Sequence, residues 1–434
     1  MANESAQRSI GVGVLGLGTV GTAVARRLIG DWELLTERCG GVTPVLRTVA
    51  VRDLAKPRDL DLKNVRLVAD AAGVVDDPDV AVVVEVMGGT NPAAGLIGRA
   101  LSAGKTVVTA NKAVIAADGQ RLWGLGAQHG AGLWFEAAVG AGLPIVGVLR
   151  DSLRGDRIAG IDAIINGTTN VILTRMREEG LAFTAALADA QRRGYAEADP
   201  SADVDGWDAA QKLVIMVRVG CELAIQVDDV DVVGIGSLDR IDLGYTGRMG
   251  YAVKLLAHAE VHQNAAVQVR VRPTAVPHGH ELFGVDGAAN AVMLRSDLAQ
   301  RVSIRGVGAG GDSTASAVVS DVVNAVVRLN APPPPPRAVP PRVLDAEEYE
   351  VAQYLRLRIT DTDEARELVL QALADRGVPI DDAIDKPPVD GSTPQLLVLT
   401  GLAPRAVHDR ALETLDSLPV VREIACAFDR IPAP

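Results

Sequence analysis

Cysteine is nearly absent. The three present in 434 residues, Cys39, Cys221 and Cys426, are too few and too scattered for a disulfide framework or a metal-binding quartet. An excess of positive charge is also missing. The net charge is −12, which argues against nucleic acid as the main partner, because binding phosphates calls for a basic face. No apolar run reaches the ~18 residues of a membrane span. The opening MANESAQRSIGVGVLG has no basic stretch followed by an apolar one, so no secretory signal is expected. The expected compartment is the reducing cytoplasm.

What is present is ordinary globular composition, 48% hydrophobic and 23% charged, in a length that suggests two to four domains. One break stands out: PPPPPRAVPPR, Pro332 to Arg342. Five successive prolines cannot continue a helix or an inner strand, and they favour a stiff extended spacer. The first part of the chain alternates Val-rich runs with helical stretches. Strands are expected over Ser9–Leu15, Val45–Val51, Val80–Val86, Lys105–Ala110 and Leu133–Val139, with a helix over Thr19–Ile29. This pattern predicts an α/β domain, a Rossmann-type doubly wound parallel sheet, over residues 1–145. Residues 146–330 read as an α+β domain for substrate binding and dimerisation. Its helices are expected over Asn170–Glu178, Thr184–Arg193 and Asp205–Val219, and a segment over 310–330 is expected to pack back on the first domain. After a linker over 331–342, residues 343–434 read as strand, helix, two strands, helix, strand. That is a ferredoxin-like order with one strand poorly defined.

The first chemical motif is GLGTVG, Gly16 to Gly21. Gly16 allows a tight turn, Gly18 lets a pyrophosphate approach the backbone, and Gly21 lets helix and strand pack closely. The helix that opens at Thr19 and Val20 would direct free N–H groups at the phosphates. A purely structural tight turn is the alternative. NAD sites usually end the second strand with an acidic residue on the ribose hydroxyl. Here the strand runs VAVRD, and Arg52 precedes Asp53, with Lys56 and Arg58 close behind. Basic groups at that point favour the 2′-phosphate of NADP, with NAD as the alternative. Lys112 follows a strand in VTANKAV, where doubly wound sheets place their ligands. It suits an anion or a developing oxyanion, or it is a solvated strand-end cation. The segment GYAEADPSADVDGWDAAQKL, Gly194 to Leu213, is dense in carboxylates, which suit an ammonium-bearing substrate. Asp208 and Lys212 stand one helical turn apart within it, a spacing that also fits a plain surface ion pair.

Read together, GLGTVGTAV, EVMGGTNPA, TANKAVIA, FEAAVGAGLPI, INGTTN, GYAEADPSADVDGWDAAQKLVI and GVGAGGDSTASAV resemble homoserine dehydrogenase, in that family's order and over about residues 8–330. The resemblance implies reversible oxidation of L-homoserine to L-aspartate 4-semialdehyde, in threonine, methionine and isoleucine biosynthesis. By the same resemblance Lys212 transfers the proton, Lys112 lies near nicotinamide and substrate, and Asp208 assists. Glu197, Asp203, Gly167, Thr168 and Tyr195 would surround the substrate. Gly89, Thr90, Gly308 and Gly310 would join the glycine loop at the cofactor. Glu136, with the main-chain oxygens of Val139, Ala141 and Leu143, would hold a monovalent cation, sodium or potassium; a Gly-rich packing loop is the alternative. A homodimer or homotetramer is implied.

The tail resembles an ACT module, a regulatory domain. Asp363 and Glu364 stand where that module's effector turn carries Pro and Gly, so threonine feedback through this turn is not expected. Two other readings of the whole chain stay open from residues alone. One is a dehydrogenase of another small hydroxy amino acid; the other is a catalytically silent cofactor-binding regulator. Turnover of aspartate semialdehyde with NADPH separates the three.

Overall fold

A computed structural model describes residues 8–386 and 393–433. They form two compact units. One contains residues up to Ile158 with Gln211–Val227 and Ser296–Pro340. The other contains Ala159–Ala210, Asp228–Arg295 and residues from Pro341 onward.

The first unit is built on six parallel strands: Ser9–Leu15, Thr43–Ala50, Arg66–Val68, Val82–Glu85, Thr106–Thr109 and Leu133–Trp134. Numbered along the chain, they lie in the order 3-2-1-4-5-6, the doubly wound arrangement whose crevice sits above the first strand. Val12, Val14, Val82, Val84 and Val108 on one face and Val83 and Val107 on the other are all buried, which is why these runs are continuously apolar rather than alternating. The helix Gly311–Val327 enters the same core through Ala315, Val318, Val322 and Val326. The expected fifth strand, Leu133–Val139, ends at Trp134 and gives way to a 3-10 turn over Glu136–Ala138. The Glu136 amide turns to donate to the buried Asp321 carboxylate at 2.7 Å, so it is lost to any ladder.

The second unit carries a mixed sheet. Its centre is the antiparallel pair Tyr251–Val261 and Ala266–Pro277. Lys254 and His258 interrupt the apolar pattern of the first strand, yet both are buried. Lys254 donates to Asp286 at 2.6 Å and His258 pairs with Asp162 at 2.7 Å.

The tail runs strand Glu350–Ile359, helix Asp363–Asp375, strands Ile380–Lys386 and Gln395–Thr400, helix Arg405–Ser417 and strand Val421–Arg430. Its four long strands lie in the order 4-1-3-2, the ferredoxin-like arrangement, with the missing strand supplied by Ile380–Lys386.

Two expectations about organisation change. The tail is not set apart from the middle of the chain: Thr274 and Ala275 pair in parallel with Asp429 and Arg430, so one sheet runs through both. The cause is a buried network. Arg356 donates to Asp242 at 2.6 and 2.9 Å, and Tyr354 adds its hydroxyl at 2.9 Å. Nor do the prolines hang free as a spacer: Pro332–Pro336 line a cavity of about 230 Å³ with Trp123, Phe135 and Arg150.

Candidate active site

The glycine loop has the geometry its residues foretold. Gly16 has φ +98°, which favours glycine. A Cβ on Gly21 would sit 2.1 Å from the Gly16 carbonyl oxygen, so only glycine lets the helix Thr19–Gly30 pack this closely on the loop. Around Gly18 a Cβ would meet nothing within 4 Å. No side chain caps this helix start, so its first N–H groups are left for a ligand. Gly311, at the start of the helix after Gly308 and Gly310, lies against Thr19: a Cβ there would be 2.6 Å from the threonine methyl. This glycine-built cradle beside a helix start fits a dinucleotide.

A cavity of about 750 Å³ adjoins the loop. It is lined by Gly16, Gly18, Arg52, Asp53, Lys56, Arg58 and Pro92 among others. Arg58 donates to the main-chain oxygens of Asp53 and Lys56 and so shapes the basic turn. Arg52 and Lys56 are exposed and form no ion pair among the described residues. Gly89 and Thr90 lie next to this cavity in sequence and are exposed.

The end of the fourth strand of the sheet is held by a polar relay. Glu85, fully buried, accepts from the Thr109 hydroxyl at 2.6 Å and from the Met87 amide at 2.8 Å. Asn111 accepts from the Val114 amide, capping the helix Lys112–Gln128, and donates to the Gly89 oxygen at 2.6 Å. Lys112 is therefore the first residue of a rigidly capped helix, half-buried at its start.

In the second unit, Asn166 caps the helix Gly167–Glu179 and donates its amide to Asp203 at 2.6 Å and to Asp208 at 2.8 Å. Thr168 donates to the Tyr195 oxygen at 2.7 Å. These bonds gather Asp203, Asp208, Thr168 and Tyr195 around one helix start. Asn166 itself was not named from sequence, although the Asn of an N-G-T-T turn before an apolar helix is a capping signal. Glu197 is exposed nearby in the chain, its main-chain oxygen held by Gln191 at 3.1 Å.

The helix expected from Asp205 begins at Trp207. Gly206 has φ +91° and breaks the preceding short helix, Ser201–Val204. Asp208 and Lys212 then share one face of Trp207–Gly220, a turn apart.

The Glu136 carboxylate accepts from the amides of Val146 and Gly147 at 2.8 and 2.6 Å. Burial pushes its pKa up. Ala141 beside it takes φ 52°. Among the described residues, no backbone hydrogen bond outside helices and strands ends on the Val139 or Ala141 oxygens, while Leu143 accepts from Ile145 at 2.9 Å. No group of three His, Cys, Asp or Glu side chains is placed to hold a metal among the described residues.

A doubly wound sheet, a glycine cradle and a lysine just past a strand end together define a nicotinamide-dependent oxidoreductase. Family models described as "Homoserine dehydrogenase, NAD binding domain" and "Homoserine dehydrogenase" match residues 16–136 and 144–323. A homoserine dehydrogenase of Synechocystis sp. is 39% identical over 96% of this chain and 98% of its own, and one of Bacillus subtilis is 34% identical over 97% and 98%. The crystal structure of a homoserine dehydrogenase from Thiobacillus denitrificans superposes with TM-score 0.91 at 36% identity, covering 98% of each chain. A hyperthermophilic archaeal homoserine dehydrogenase in complex with NADPH gives 0.62 at 29%, covering 74% of this chain and 98% of that one. The chain belongs to the homoserine dehydrogenase family. Its reaction is the NAD(P)-dependent interconversion of L-homoserine and L-aspartate 4-semialdehyde.

Proposed function

We propose that the enzyme prefers NADP(H) and that Lys212 and Lys112 carry its proton and charge chemistry. The cofactor preference rests on the basic turn, where Arg52 and Lys56 line the cavity beside the glycine loop. Two exposed cations there attract a 2′-phosphate, while the Asp53 carboxylate that shares the cavity accepts from the Ala55 amide at 2.8 Å. Bound nicotinamide supplies the hydride acceptor or donor.

The remaining work falls to this chain. Lys212 accepts the hydroxyl proton as homoserine is oxidised and returns it in reduction, which requires its amine neutral at the moment of transfer. Lys112, on its capped helix start, stabilises negative charge on the reacting oxygen. Glu197 receives the substrate ammonium, with Gly167, Thr168 and Tyr195 around it. Asp203 and Asp208, fixed by one asparagine amide, complete the acidic side. The observation that carries this reading is that shared amide, since two carboxylates on one donor favour a built polar site over a solvated charge run. Lys212→Ala tests it. We expect kcat to fall by at least ~10² with NADPH binding retained, the usual scale of positioned proton transfer. A kcat within a few-fold of the parent removes Lys212 from the role.

Glu136, Val139, Ala141 and Leu143 are assigned to a sodium or potassium ion, supported by two main-chain oxygens that accept no backbone hydrogen bond outside helices and strands among the described residues, beside a buried carboxyl. Rates that ignore both ions, measured against choline, would remove that assignment. Among the described residues no helix is long and apolar enough to cross a membrane, and we place the enzyme in the cytoplasm as a homodimer or homotetramer; light scattering tests the assembly. The tail is assigned as an ACT-type module on its 4-1-3-2 strand order. Its helix starts directly at Asp363, with Glu364 exposed in the first turn. The Asp363 side chain lies outside the described residues; the Glu364 carboxylate opposes an amino-acid effector's own carboxylate, so threonine is expected to inhibit weakly or not at all. Cooperative threonine inhibition would overturn this.

A further inference from the structure

Arg218 lies near the end of the helix Trp207–Gly220 and is only 2% exposed. Its guanidinium is gripped from two sides. One nitrogen donates to the main-chain oxygens of Ile115 and Ala116, at 3.1 and 2.7 Å. The others donate to the Ile225 oxygen at 2.8 Å and to the Gln226 side-chain oxygen at 2.9 Å.

Ile115 and Ala116 stand three and four residues after Lys112 on the helix Lys112–Gln128. They therefore lie on the face directly below Lys112, about 5 Å along the axis. Lys212 stands six residues before Arg218 on the other helix, about 9 Å of rise away. One planar, permanently charged group thus ties the helix that begins with Lys112 to the helix that carries Lys212. Helical carbonyls already serve their own ladder, and a cation that takes two of them in addition fixes both the axial register and the separation of the two rods. Only a fork with five donors reaches carbonyls on one helix and the chain beyond the other at once.

We propose that Arg218 is a positioning residue for the dehydrogenase reaction: it sets the spacing of Lys112 and Lys212 without touching substrate or cofactor. This inference rests on the roles given above to the two lysines. Its sequence position, six residues after Lys212 in an apolar helix, would otherwise read as a snorkelling surface cation.

The test compares Arg218→Met and Arg218→Lys with the parent enzyme, in steady-state turnover with NADPH and with deuterated NADPH. Misplacing a reacting group by about 1 Å costs on the order of 10²-fold in rate. Arg218→Met should therefore lower kcat by about 10- to 10²-fold, leave KM for NADPH within about twofold, and raise the deuterium isotope effect on kcat. Arg218→Lys keeps the charge but not the fork, and should recover part of the rate.

A second, exposed handle guards against misfolding. Gln226→Ala removes one guanidinium contact from the surface side and should shift kcat and the isotope effect in the same direction by a smaller amount. Melting curves establish that each variant is folded. If folded Arg218→Met and Gln226→Ala keep parental kcat and isotope effect, the positioning role is wrong. Lys112→Ala and Lys212→Ala, assayed alongside, separate the two ideas. Inactive lysine variants with unaffected Arg218 variants reject only the positioning role, whereas active lysine variants reject the underlying assignment.

Discussion

Replacing Arg356 with methionine tests what ties the tail to the middle of the chain. Arg356 is 2% exposed and Asp242 is 0% exposed. The substitution keeps most of the side-chain volume but removes two charge-assisted hydrogen bonds, of 2.6 and 2.9 Å. Asp242 would keep the Tyr354 hydroxyl at 2.9 Å, which cannot neutralise a carboxylate held away from water. Removing one partner of a buried ion pair typically costs about 3–5 kcal/mol. At about 2–4 °C per kcal/mol for a unit of this size, Tm should fall by about 6–20 °C. The cost comes from the stranded charge rather than from lost attraction, so the double variant Asp242→Leu/Arg356→Met should regain most of it. Thermal unfolding followed by circular dichroism reads both, and turnover per folded enzyme below the transition should stay at the parental level. A single variant that melts within about 2 °C of the parent would refute the reasoning. So would a double variant no more stable than the single one. By the same logic, cutting the chain at residue 342 should destabilise the second unit, because it strands Asp242 and uncovers the edge of Ala266–Pro277.

Gly21→Ala places a methyl 2.1 Å from a backbone oxygen; the loop must move, and NADPH affinity by fluorescence titration should weaken at least about tenfold. Arg52→Ala combined with Lys56→Ala should shift the ratio of kcat/KM for NADPH over NADH toward NADH by about tenfold or more, and an unchanged ratio would show that the basic turn does not read the phosphate. His408 is buried and bonded through Nε2 to the Val351 oxygen at 2.9 Å, and burial, the largest influence, pushes its pKa below 6.5. The unfolded chain therefore takes up the proton first as pH falls. The stability it contributes is complete above about pH 6.5 and is lost progressively below it, so melts of His408→Gln across pH 5–8 should show a flatter acid limb than the parent.

The doubly wound half was legible because its strands are sealed on both faces and so are written as unbroken valine runs; Ser9–Leu15 falls where the sequence placed it. The turn of the glycine loop was legible for a related reason, since local backbone geometry dictates its glycines. What escaped depends on partners far away in the chain. Lys254 and His258 look like surface residues until Asp286 and Asp162 are brought beside them. Arg356 reads as the outward side of an alternating strand, yet Asp242, more than a hundred residues earlier, draws it inward. The proline run was read as a spacer because nothing local announces Trp123 and Phe135 as its neighbours. The proposed roles of Glu197 and Lys212 come from the family resemblance, whereas the contacts of Asn166 and Arg218 emerge only once hydrogen bonds are traced between segments.

The helix Gly311–Val327 also bears on how the protein is made. It fills the first sheet's core against Val12 and Val14, roughly 300 residues after them, so at ~5–20 residues per second a ribosome needs about 15–60 s between emitting the two. Throughout that interval the earliest strands have been synthesised while part of their apolar cover has not. The nascent chain must carry exposed valine-rich strands past the whole middle segment, which makes the N-terminal half a natural client for chaperones and a poor candidate for expression as a truncated fragment ending near residue 158.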